Sequence, residues 1–590
     1  MCLSNRRFSL LLLPLLFCLI SGTGAAPLPA TATERPIATV YLFLSTHCPI
    51  SNRYTPRLAR LASRLGGRQI RFVGIYEDGD ATQVSVALHA REHGLEFPLL
   101  LDADGSRARR WGASVTPEAV VVDRAGAIRY RGRIDDNDDS SRVTSADLQR
   151  AIEALIARKP IVRRETRAVG CAIQSIVAAK TPAVDCPTYA EDIAPILNAN
   201  CVSCHRAGQI GPMPFGTYRQ AIAWAAQIKV VTRARRMPPW KADSHGEFIG
   251  ERRLTDAQID VLAAWADGGA PEGDARRTPV PPTFAKSEWL LGEPDAVFEM
   301  PERYSVSADG KDVYRCFVIP SHYTEDRWIA GIAFAPGNRA VVHHATVFQD
   351  DSGAARRMDD ADAGPGYKNP TPGNGPGYKT TLGALGGWTP GHEPRLLPSG
   401  VAERLPKGAD LVLEVHYHPD GKPETDRTRF GLYFAKGPID KRMRMGDVSS
   451  FDFHIPPGKS DFVVSKTATL PFDITVLSVT PHMHNLGRSM RVTATLPGRT
   501  TPIPIVSVPG WDFNWQPSYR YRTPLKLPGG TRIDLEAHFD NTTENPAQPN
   551  RPPREVRWGE STSDEMCTCF FAYTLDSEHL ADEPVVVPVK

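Results

Sequence analysis

The sequence carries almost no net charge. Its 69 lysine and arginine residues against 67 aspartate and glutamate residues leave a formal charge of +2. This balance excludes the strongly basic surface that nucleic acids and anionic membranes attract, so we expect no nucleic-acid partner. A chain of 590 residues is also too long for one hydrophobic core, which predicts several domains.

The apolar run within residues 1–26 is too short to span a bilayer comfortably. Arginines precede it and small residues follow it, which is the layout of a secretory signal peptide. An uncleaved anchor is the alternative. Removal of the signal would take Cys2 and Cys18 with it and leave eight cysteines in an oxidising compartment. We therefore expect a secreted protein, located in the periplasm of a bacterium.

Three stretches with different patterns follow the signal. The first alternates strand-like with helical runs, which predicts an α/β domain. The second is helical and closes with a helix that Thr255 caps and Gly268 ends. The third has short alternating runs rich in glycine and proline, which predicts all-β sandwiches. The predicted boundaries are 36–165 for the α/β domain, 186–275 for the helical domain, 276–294 for a linker, and 295–445 and 446–585 for two sandwiches.

The motif CVSCH is the most specific short signal in the chain. Its thiols, Cys201 and Cys204, are spaced to form thioethers with the two vinyl groups of haem, and His205 is then placed to bind the iron. A redox-active CxxC pair is the alternative. Met237 resembles the methionine of small cytochromes c and is favoured over Met213 as the sixth ligand, and another ligand or an open position is the further alternative. The motif predicts one covalently bound c-type haem in a small all-α, cytochrome c-like domain.

Cys48 lies where a predicted strand ends and a helix begins, a position that stabilises a thiolate. Together with Pro117, this stretch resembles the thioredoxin and peroxiredoxin superfamily, in which that proline is commonly cis. Two departures weaken the match: Ser51 replaces the second cysteine of a thioredoxin site, and Tyr41 stands where a peroxiredoxin has proline. Cys48 is therefore either redox-active or part of a retained structural module.

A redox-active Cys48 needs a second thiol. Cys171 and Cys186 both follow the domain closely, and the sequence does not choose between them. In this interpretation the protein is a thiol peroxide reductase centred on Cys48, and the remaining domains supply electrons.

The last 300 residues contain several histidines in close pairs, followed by a methionine. An adjacent histidine pair comes first, and two His-x-His pairs follow at the spacing that puts both imidazoles on one face of a strand. Imidazoles with one thioether suit copper that cycles between Cu(I) and Cu(II), because sulfur favours the reduced state. These residues are, in chain order, His343, His344, His416, His418, His482, His484 and Met566.

This order resembles the copper type II, ascorbate-dependent monooxygenases, which include peptidylglycine α-hydroxylating and dopamine β-monooxygenases. The resemblance implies tandem jelly-roll-like sandwiches, two copper ions, and hydroxylation of a C–H bond with molecular oxygen. The substrate, a small or peptide-like molecule, is not identified, and an external donor would supply electrons through the haem. The implied ligands are His343, His344 and His416 for an electron-transfer copper, and His482, His484 and Met566 for an oxygen-binding copper.

The adjacent histidines raise a geometric difficulty, because neighbouring side chains in a regular strand point to opposite faces. His343 and His344 reach one metal only if the strand bulges or ends there. His418 has no ligand role in the family pattern, and an exposed or supporting place is expected. Structural roles are expected for His392, His454 and His538, and Cys316, Cys567 and Cys569 are disulfide candidates.

A protein without oxygenase activity would use the same ligands. An electron carrier or copper-handling protein needs the metals but no substrate pocket.

Within the family, peptide-hydroxylating members hold the carboxylate of the peptide with an arginine, an asparagine and a tyrosine. The corresponding residues here are Thr480, Thr568 and Phe570, so we expect a different substrate, with Phe570 and Trp511 as candidates to line the pocket.

Overall fold

A computed structural model describes most of residues 36–580. The predicted signal peptide and His392 lie outside the described residues. Among the described residues, no helix combines the length and apolar character needed to cross a membrane. The residues left out of the description are 1–35, 68, 79–80, 103, 174–185, 207–208, 210, 212, 285–287, 371–375, 379–382, 390–392, 560–562 and 581–590.

The first domain is an α/β unit whose elements are β1 (Ala38–Leu44), α1 (Pro49–Leu65), β2 (Ile70–Tyr76), α2 (Gln83–Glu92), β3 (Leu99–Leu101), α3 (Ser106–Trp111), β4 (Val115–Thr116), β5 (Glu118–Asp123), β6 (Ile128–Gly132), a 3₁₀ turn (Ser140–Arg142), α4 (Asp147–Ile156) and β7 (Cys171–Ala172). Its main sheet has the order β3-β2-β1-β5-β6, with β1 parallel to β2 and antiparallel to β5. Leu58 of α1 and Leu148 of α4 pack on this sheet. The Thr116–Pro117 bond is cis. The predicted thioredoxin-like fold is confirmed.

The next region is helical, with a π-helical turn (Tyr189–Ile193), α5 (Ala194–Asn200), α6 (Tyr218–Ile222), α7 (Ala225–Arg233), α8 (Asp256–Asp267) and a 3₁₀ turn (Ala275–Arg277). Thr255 caps α8, because its side chain accepts from the Gln258 amide, while the Gln258 side chain accepts from the Thr255 amide. The helix ends at Gly268, as predicted. The helices surround a core that includes Leu197, Ile228 and Trp265.

The third region begins with β8 (Ala296–Glu299), β9 (Tyr304–Val306), β10 (Val313–Pro320), β11 (Arg327–Ala335), β12 (Val342–Asp350), α9 (Ala354–Ala361), β13 (Tyr367–Lys368), β14 (Ala384–Trp388), β15 (Val401–Leu405), β16 (Asp410–Tyr417), β17 (Glu424–Asp426), β18 (Arg429–Phe434) and β19 (Lys441–Arg442). Two five-stranded sheets form, ordered β13-β10-β16-β12-β14 and β19-β15-β11-β18-β8. Val415 from one sheet and Leu432 from the other belong to the same buried core, which makes this unit a sandwich.

The chain then forms β20 (Arg444–Ser449), β21 (His454–Ile455), β22 (Phe462–Thr469), β23 (Ile474–His482), β24 (Gly487–Thr495), β25 (Ile503–Val508), β26 (Tyr519–Leu527), β27 (Arg532–Phe539), β28 (Val556–Arg557) and β29 (Thr568–Leu575). Two four-stranded sheets, β20-β29-β23-β26 and β22-β27-β24-β25, share a core that contains Val476 and Leu535. The prediction of a large all-β region is therefore confirmed.

The eight cysteines of the described residues are all free thiols. The three disulfide candidates are buried in the β region, and burial raises the pKa of each thiol above its ordinary value. A buried, protonated thiol packs as a small apolar group. The expectation of disulfides at Cys316, Cys567 and Cys569 is therefore not met in this structure.

Candidate functional site

Three imidazoles converge at one edge of the first sandwich. His344 and His416 are cross-strand partners on β12 and β16, and their Nδ1 atoms lie 3.2 Å apart. The register of β12 shifts between Val342 and His344, and this bulge brings His343 Nδ1 to 3.4 Å from His344 Nδ1. The candidate ligand nitrogens all lie within 4.8 Å of one another. We call these three residues the histidine cluster; of the two geometries expected to bring the adjacent histidines together, a bulge or a strand end, the structure has the bulge.

The environment keeps the histidine cluster neutral. Burial, followed by the neighbouring imidazoles, lowers the pKa of His343 to about 3 and that of His344 well below its usual value. Burial also lowers the pKa of His416. A neutral imidazole offers one nitrogen lone pair, so this group of three fits a metal of the copper or zinc type.

Asp312 and Tyr314 support the cluster, and the sequence pattern revealed neither. Asp312 Oδ2 accepts from His416 Nε2 at 2.8 Å, and its other oxygen accepts from His418 Nδ1 at 2.9 Å. Tyr314, the strand partner of His416 on β10, stacks on that imidazole with ring centroids 4.0 Å apart. His418 lies just beyond the end of β16 and has the supporting place that was expected.

His482 and His484 lie at the end of β23 in the second sandwich, with ring centroids 5.3 Å apart. The Nδ1 atom of His482 donates to Gln516 Oε1 at 2.6 Å, and the Gln516 amide donates to the carbonyl of Phe513 at 2.8 Å. This fixes the tautomer and leaves His482 Nε2 buried without a hydrogen-bond partner in the described structure. An unpaired, buried imidazole nitrogen fits a metal ligand.

A buried carboxylate, Glu565, joins the two segments that carry the second set of candidate ligands. It accepts from the backbone amides of His484 at 2.8 Å and Leu486 at 2.5 Å on one side, and of Met566 at 3.2 Å on the other. His484 Nδ1 also lies 3.2 Å from the carbonyl of Asp564. Met566 and the His-x-His pair, distant in sequence, are thus held in one place.

The CVSCH motif forms a tight turn at the end of α5, in which the amides of Cys204 and His205 both donate to the carbonyl of Cys201. His205 Nδ1 donates to the carbonyl of Met213 at 2.9 Å, and the ring stacks on Phe215 with centroids 4.4 Å apart. These contacts orient the imidazole with Nε2 as its remaining ligand atom. The residues fit the attachment of a c-type haem.

The two methionine candidates occupy different surroundings. The side chain of Met213 is buried in the helical core, and its carbonyl already holds His205. Met237 instead lines a cavity of about 340 Å³ together with Trp240 and Pro509. The structure does not place either sulfur on iron, so the choice of Met237 as sixth ligand stays a prediction.

Arg339 lies in the segment that precedes β12 and the histidine cluster. The guanidinium of Arg339 interacts electrostatically with Arg206 and Cys204. Burial, followed by Arg206, lowers the pKa of Arg339. Arg339 is four residues before His343, so the electrostatic influence of Arg206 and Cys204 extends to the segment that leads into the cluster.

Cys48 begins α1 as its N-cap and is fully buried, and Cys171 is its thiol partner. Cys171 reaches it because β7 pairs with β4, and this pairing sets Cys171 opposite Thr116, whose carbonyl lies 3.2 Å from Cys48 Sγ. The other candidate, Cys186, packs instead against α8. The structure therefore brings Cys171, and not Cys186, to Cys48.

The electrostatics of the thiol pair favour a thiolate at Cys48. Burial raises the pKa of Cys48, but hydrogen bonds from the Cys171 thiol and the Ser51 amide outweigh it and lower the value to about 7. The hydrogen bond with Cys48, followed by burial, raises the pKa of Cys171. The pair thus contains a nucleophile and a thiol that retains its proton.

Comparison with known proteins supports the first domain. Residues 32–150 match the Redoxin family, which is about a fifth of the chain. A comparison with curated proteins finds no match.

Several solved structures resemble part of the chain. A hypothetical protein from Sinorhizobium meliloti is 28% identical, with 24% of this chain and 81% of that chain covered and a TM-score of 0.23. An uncharacterized conserved protein from Geobacillus kaustophilus is 27% identical, with coverages of 25% and 80% and a TM-score of 0.23. A secreted Mycobacterium tuberculosis disulfide oxidoreductase, homologous to E. coli DsbE, is 23% identical, with coverages of 21% and 85% and a TM-score of 0.17.

Proposed function

We propose that this protein is an oxidoreductase in which Cys48 and Cys171 form a redox-active thiol pair. The observation that carries the proposal is that Cys171 is paired with Thr116, whose carbonyl lies 3.2 Å from Cys48 Sγ, within a domain that matches the Redoxin family. The match favours this thiol chemistry over the other activities considered for the chain. Ser51, at the place of the second cysteine of a thioredoxin site, is compensated by Cys171 from β7.

The reduction of a hydroperoxide is the reaction that suits this thiol pair best, so the proposed activity is that of a thiol peroxide reductase. The Cys48 thiolate would attack a hydroperoxide, release an alcohol or water, and become a sulfenic acid. The Cys171 thiol would then attack that sulfur, which releases water and forms the disulfide. The two electrons reduce the peroxide, and an external donor restores both thiols.

Hydroperoxide consumption tests this proposal directly. We expect the purified protein to consume hydrogen peroxide. Peptide mass spectrometry should then detect a Cys48–Cys171 disulfide, whose formation removes two hydrogen atoms per chain. Cys48→Ser should abolish both results, and Cys171→Ser should stop the reaction at the sulfenic acid. Cys186→Ser is the matched control and should leave both unchanged. Unaltered peroxide consumption in Cys48→Ser would overturn the proposal.

A second activity, that of a copper-dependent monooxygenase, is favoured by the histidine cluster. His343, His344 and His416 would hold one copper, and His482, His484 and Met566 a second. Bound copper would supply one-electron redox chemistry and the activation of molecular oxygen. The chain itself holds the imidazoles neutral and orients His482 through Gln516, so that lone pairs are ready for the metal.

Coupled turnover would separate this activity from simple copper handling. We expect the reduced, copper-loaded protein to consume oxygen and to incorporate one labelled oxygen atom into a component of a periplasmic extract. His482→Ala should abolish incorporation. Copper binding without any labelled product would support the alternative of an electron carrier or copper-handling protein.

We further propose that a haem on Cys201 and Cys204 passes electrons to the histidine cluster. The electrostatic interaction of Arg339 with Arg206 and Cys204 supports this, because Arg339 is only four residues before His343. Stopped-flow mixing of the protein with reduced haem and oxidised copper should show haem oxidation at a rate independent of protein concentration. A rate proportional to concentration would indicate transfer between molecules.

The location of the protein follows from these activities as a proposal. Haem attachment through CVSCH takes place outside the cytoplasm. The metal centres and the thiol pair would therefore have to receive their electrons from a reductant in that compartment. We therefore propose a secreted or periplasmic protein that depends on an external electron donor.

A further inference from the structure

Asp312 joins two histidines that have different places in the copper proposal. Its Oδ2 atom lies 2.8 Å from His416 Nε2, and its Oδ1 atom lies 2.9 Å from His418 Nδ1. The imidazole of His416 is only 4% exposed, whereas the carboxylate of Asp312 is 37% exposed. Asp312 thus covers the one edge of His416 that faces away from the cluster.

We propose that Asp312 is the positioning residue of the first copper site, fixing His416 in the tautomer that presents Nδ1 to the metal. This inference rests on the copper proposal. A neutral imidazole carries one N–H and one lone pair. Because a carboxylate only accepts hydrogen bonds, Nε2 must donate to it, and the lone pair is left on Nδ1. That atom lies 3.2 Å from His344 Nδ1, inside the cluster.

The surroundings hold the ring against rotation. Tyr314 stacks on His416 with an angle of 9° between the rings, and it contacts His344 edge-on. Stacking restrains the ring plane but does not choose between its two nitrogens. The hydrogen bond to Asp312 makes that choice, so the tautomer depends on Asp312 specifically.

The thioredoxin-like domain contacts the turn that carries Asp312 through an ion pair whose arginine is 62% exposed and which therefore contributes little to the stability of the turn. Arg60 of α1 pairs with Asp309, three residues before Asp312, at 2.6 Å. The Thr55 hydroxyl donates to the carbonyl of Gly421 at 3.2 Å, just beyond His418. The first domain therefore contacts both segments that meet at the carboxylate.

Copper binding at the first site alone tests the inference. In a His482→Ala background, in which only that site is expected to remain, the affinity for Cu(I) is measured by competition with a chromogenic chelator. The Cu(II) form is examined by electron paramagnetic resonance. Asp312→Ala should lower the affinity about 10–100-fold and change the copper hyperfine splitting. Asp309→Asn, which loses a carboxylate in the same turn but not the contact with His416, is the matched control and should change neither.

Asp312→Asn separates positioning from simple loss of structure. An asparagine retains an oxygen that accepts from His416 Nε2, so it should restore most of the affinity while raising the copper reduction potential, because a negative charge is lost. Copper binding by Asp312→Ala that equals the Asp309→Asn control would overturn the positioning role and leave the copper proposal intact. A parent protein that binds no copper would overturn both.

Discussion

The Nδ1 atoms of His343 and His344 lie 3.4 Å apart although the residues are consecutive in a strand. A bulge between Val342 and His344 rotates one side chain toward the other. Two neighbours that a regular strand would send to opposite faces are thus able to serve one metal. This arrangement of adjacent neutral imidazoles, two half-buried and one buried, favours a ligand role over a structural one.

Copper stoichiometry should follow this geometry. We expect two copper ions per chain and a fall to one in His344→Ala, because that residue contacts both other members of the cluster. His418→Ala should retain both ions, since His418 contacts Asp312 and the ring of His343 but is not among the residues whose ligand atoms converge. Elemental analysis of the copper-loaded proteins measures the count. Loss of both ions in a folded His344→Ala protein would contradict two independent sites.

The CVSCH turn predicts a covalent haem. A haem stain on a denaturing gel should be positive for protein made in a host competent in cytochrome maturation, and negative after Cys201→Ala with Cys204→Ala. Met237→Ala should alter the visible spectrum if its sulfur binds the iron, whereas Met213→Leu should preserve it, because Met213 contributes its carbonyl to His205. A colourless band from the parent protein would refute the haem.

The thiol pair should titrate near neutrality. Because the pKa of Cys48 is lowered to about 7, its alkylation by iodoacetamide should rise between pH 6 and 8, earlier than for an ordinary cysteine. Cys171→Ser replaces the hydrogen-bonding thiol and should change the pH at which the alkylation of Cys48 rises. Peptide mass spectrometry of quenched samples gives the rate at each site. A Cys48 profile that first rises near pH 9 would contradict a stabilised thiolate.

Stability should fall as pH rises because of a buried acid in the first sandwich. Burial raises the pKa of Glu403 to about 8, so this residue is protonated in the folded chain and ionised in the unfolded chain between roughly pH 5 and 8. The contribution of Glu403 to the stability of the folded chain is complete below its pKa in the unfolded chain. This contribution is lost as the pH rises through its pKa in the folded chain. Glu403→Gln should therefore gain melting temperature relative to the parent at pH 8 more than at pH 5. Exposed Glu325→Gln is the control, and equal shifts at both pH values would argue against the linkage.

Local patterns were enough to predict much of the fold. Cys48 lies between the end of β1 and the start of α1, and Thr255 caps α8, as both were predicted from the sequence. These features depend on neighbours within a few residues, so the sequence contains the required information. The expectation of paired histidines on one strand face was less accurate, because His418 and His484 both lie just beyond their strands.

The supporting residues of the sites could not be predicted in the same way. Asp312 is far from His416 in sequence, and Glu565 is equally remote from His484, so no short motif joins them. Cys171 reaches Cys48 only through the pairing of β7 with β4. Polar partners of this kind are set by tertiary structure, and a charged residue in a loop gives no signal of its own.

The region around His482 bears on the choice of substrate. Thr480 is the strand partner of Phe570, and Phe570 lies 6.2 Å from His482 between ring centroids. Neither side chain supplies a positive charge. An arginine from elsewhere in this sandwich could supply such a charge, and Arg488 and Arg520 are two candidates. Arg488 pairs with Asp540 at 3.0 Å, and Arg520 donates to the carbonyl of Leu396 at 2.7 Å. Both guanidinium groups therefore have other partners.

Glycine-extended peptides should accordingly be poor substrates. Burying their carboxylate without a cation costs several kcal/mol, which is on the order of a hundredfold or more in affinity. We expect neither α-hydroxylated product nor coupled oxygen uptake when the reduced, copper-loaded protein is incubated with a glycine-extended dipeptide. Thr480→Arg is the informative variant, because it returns a cation two residues before His482 and should increase any residual peptide binding. Turnover of the dipeptide by the parent protein at roughly 1 per second or faster, a rate typical of enzymes, would show that these substitutions do not decide the substrate class.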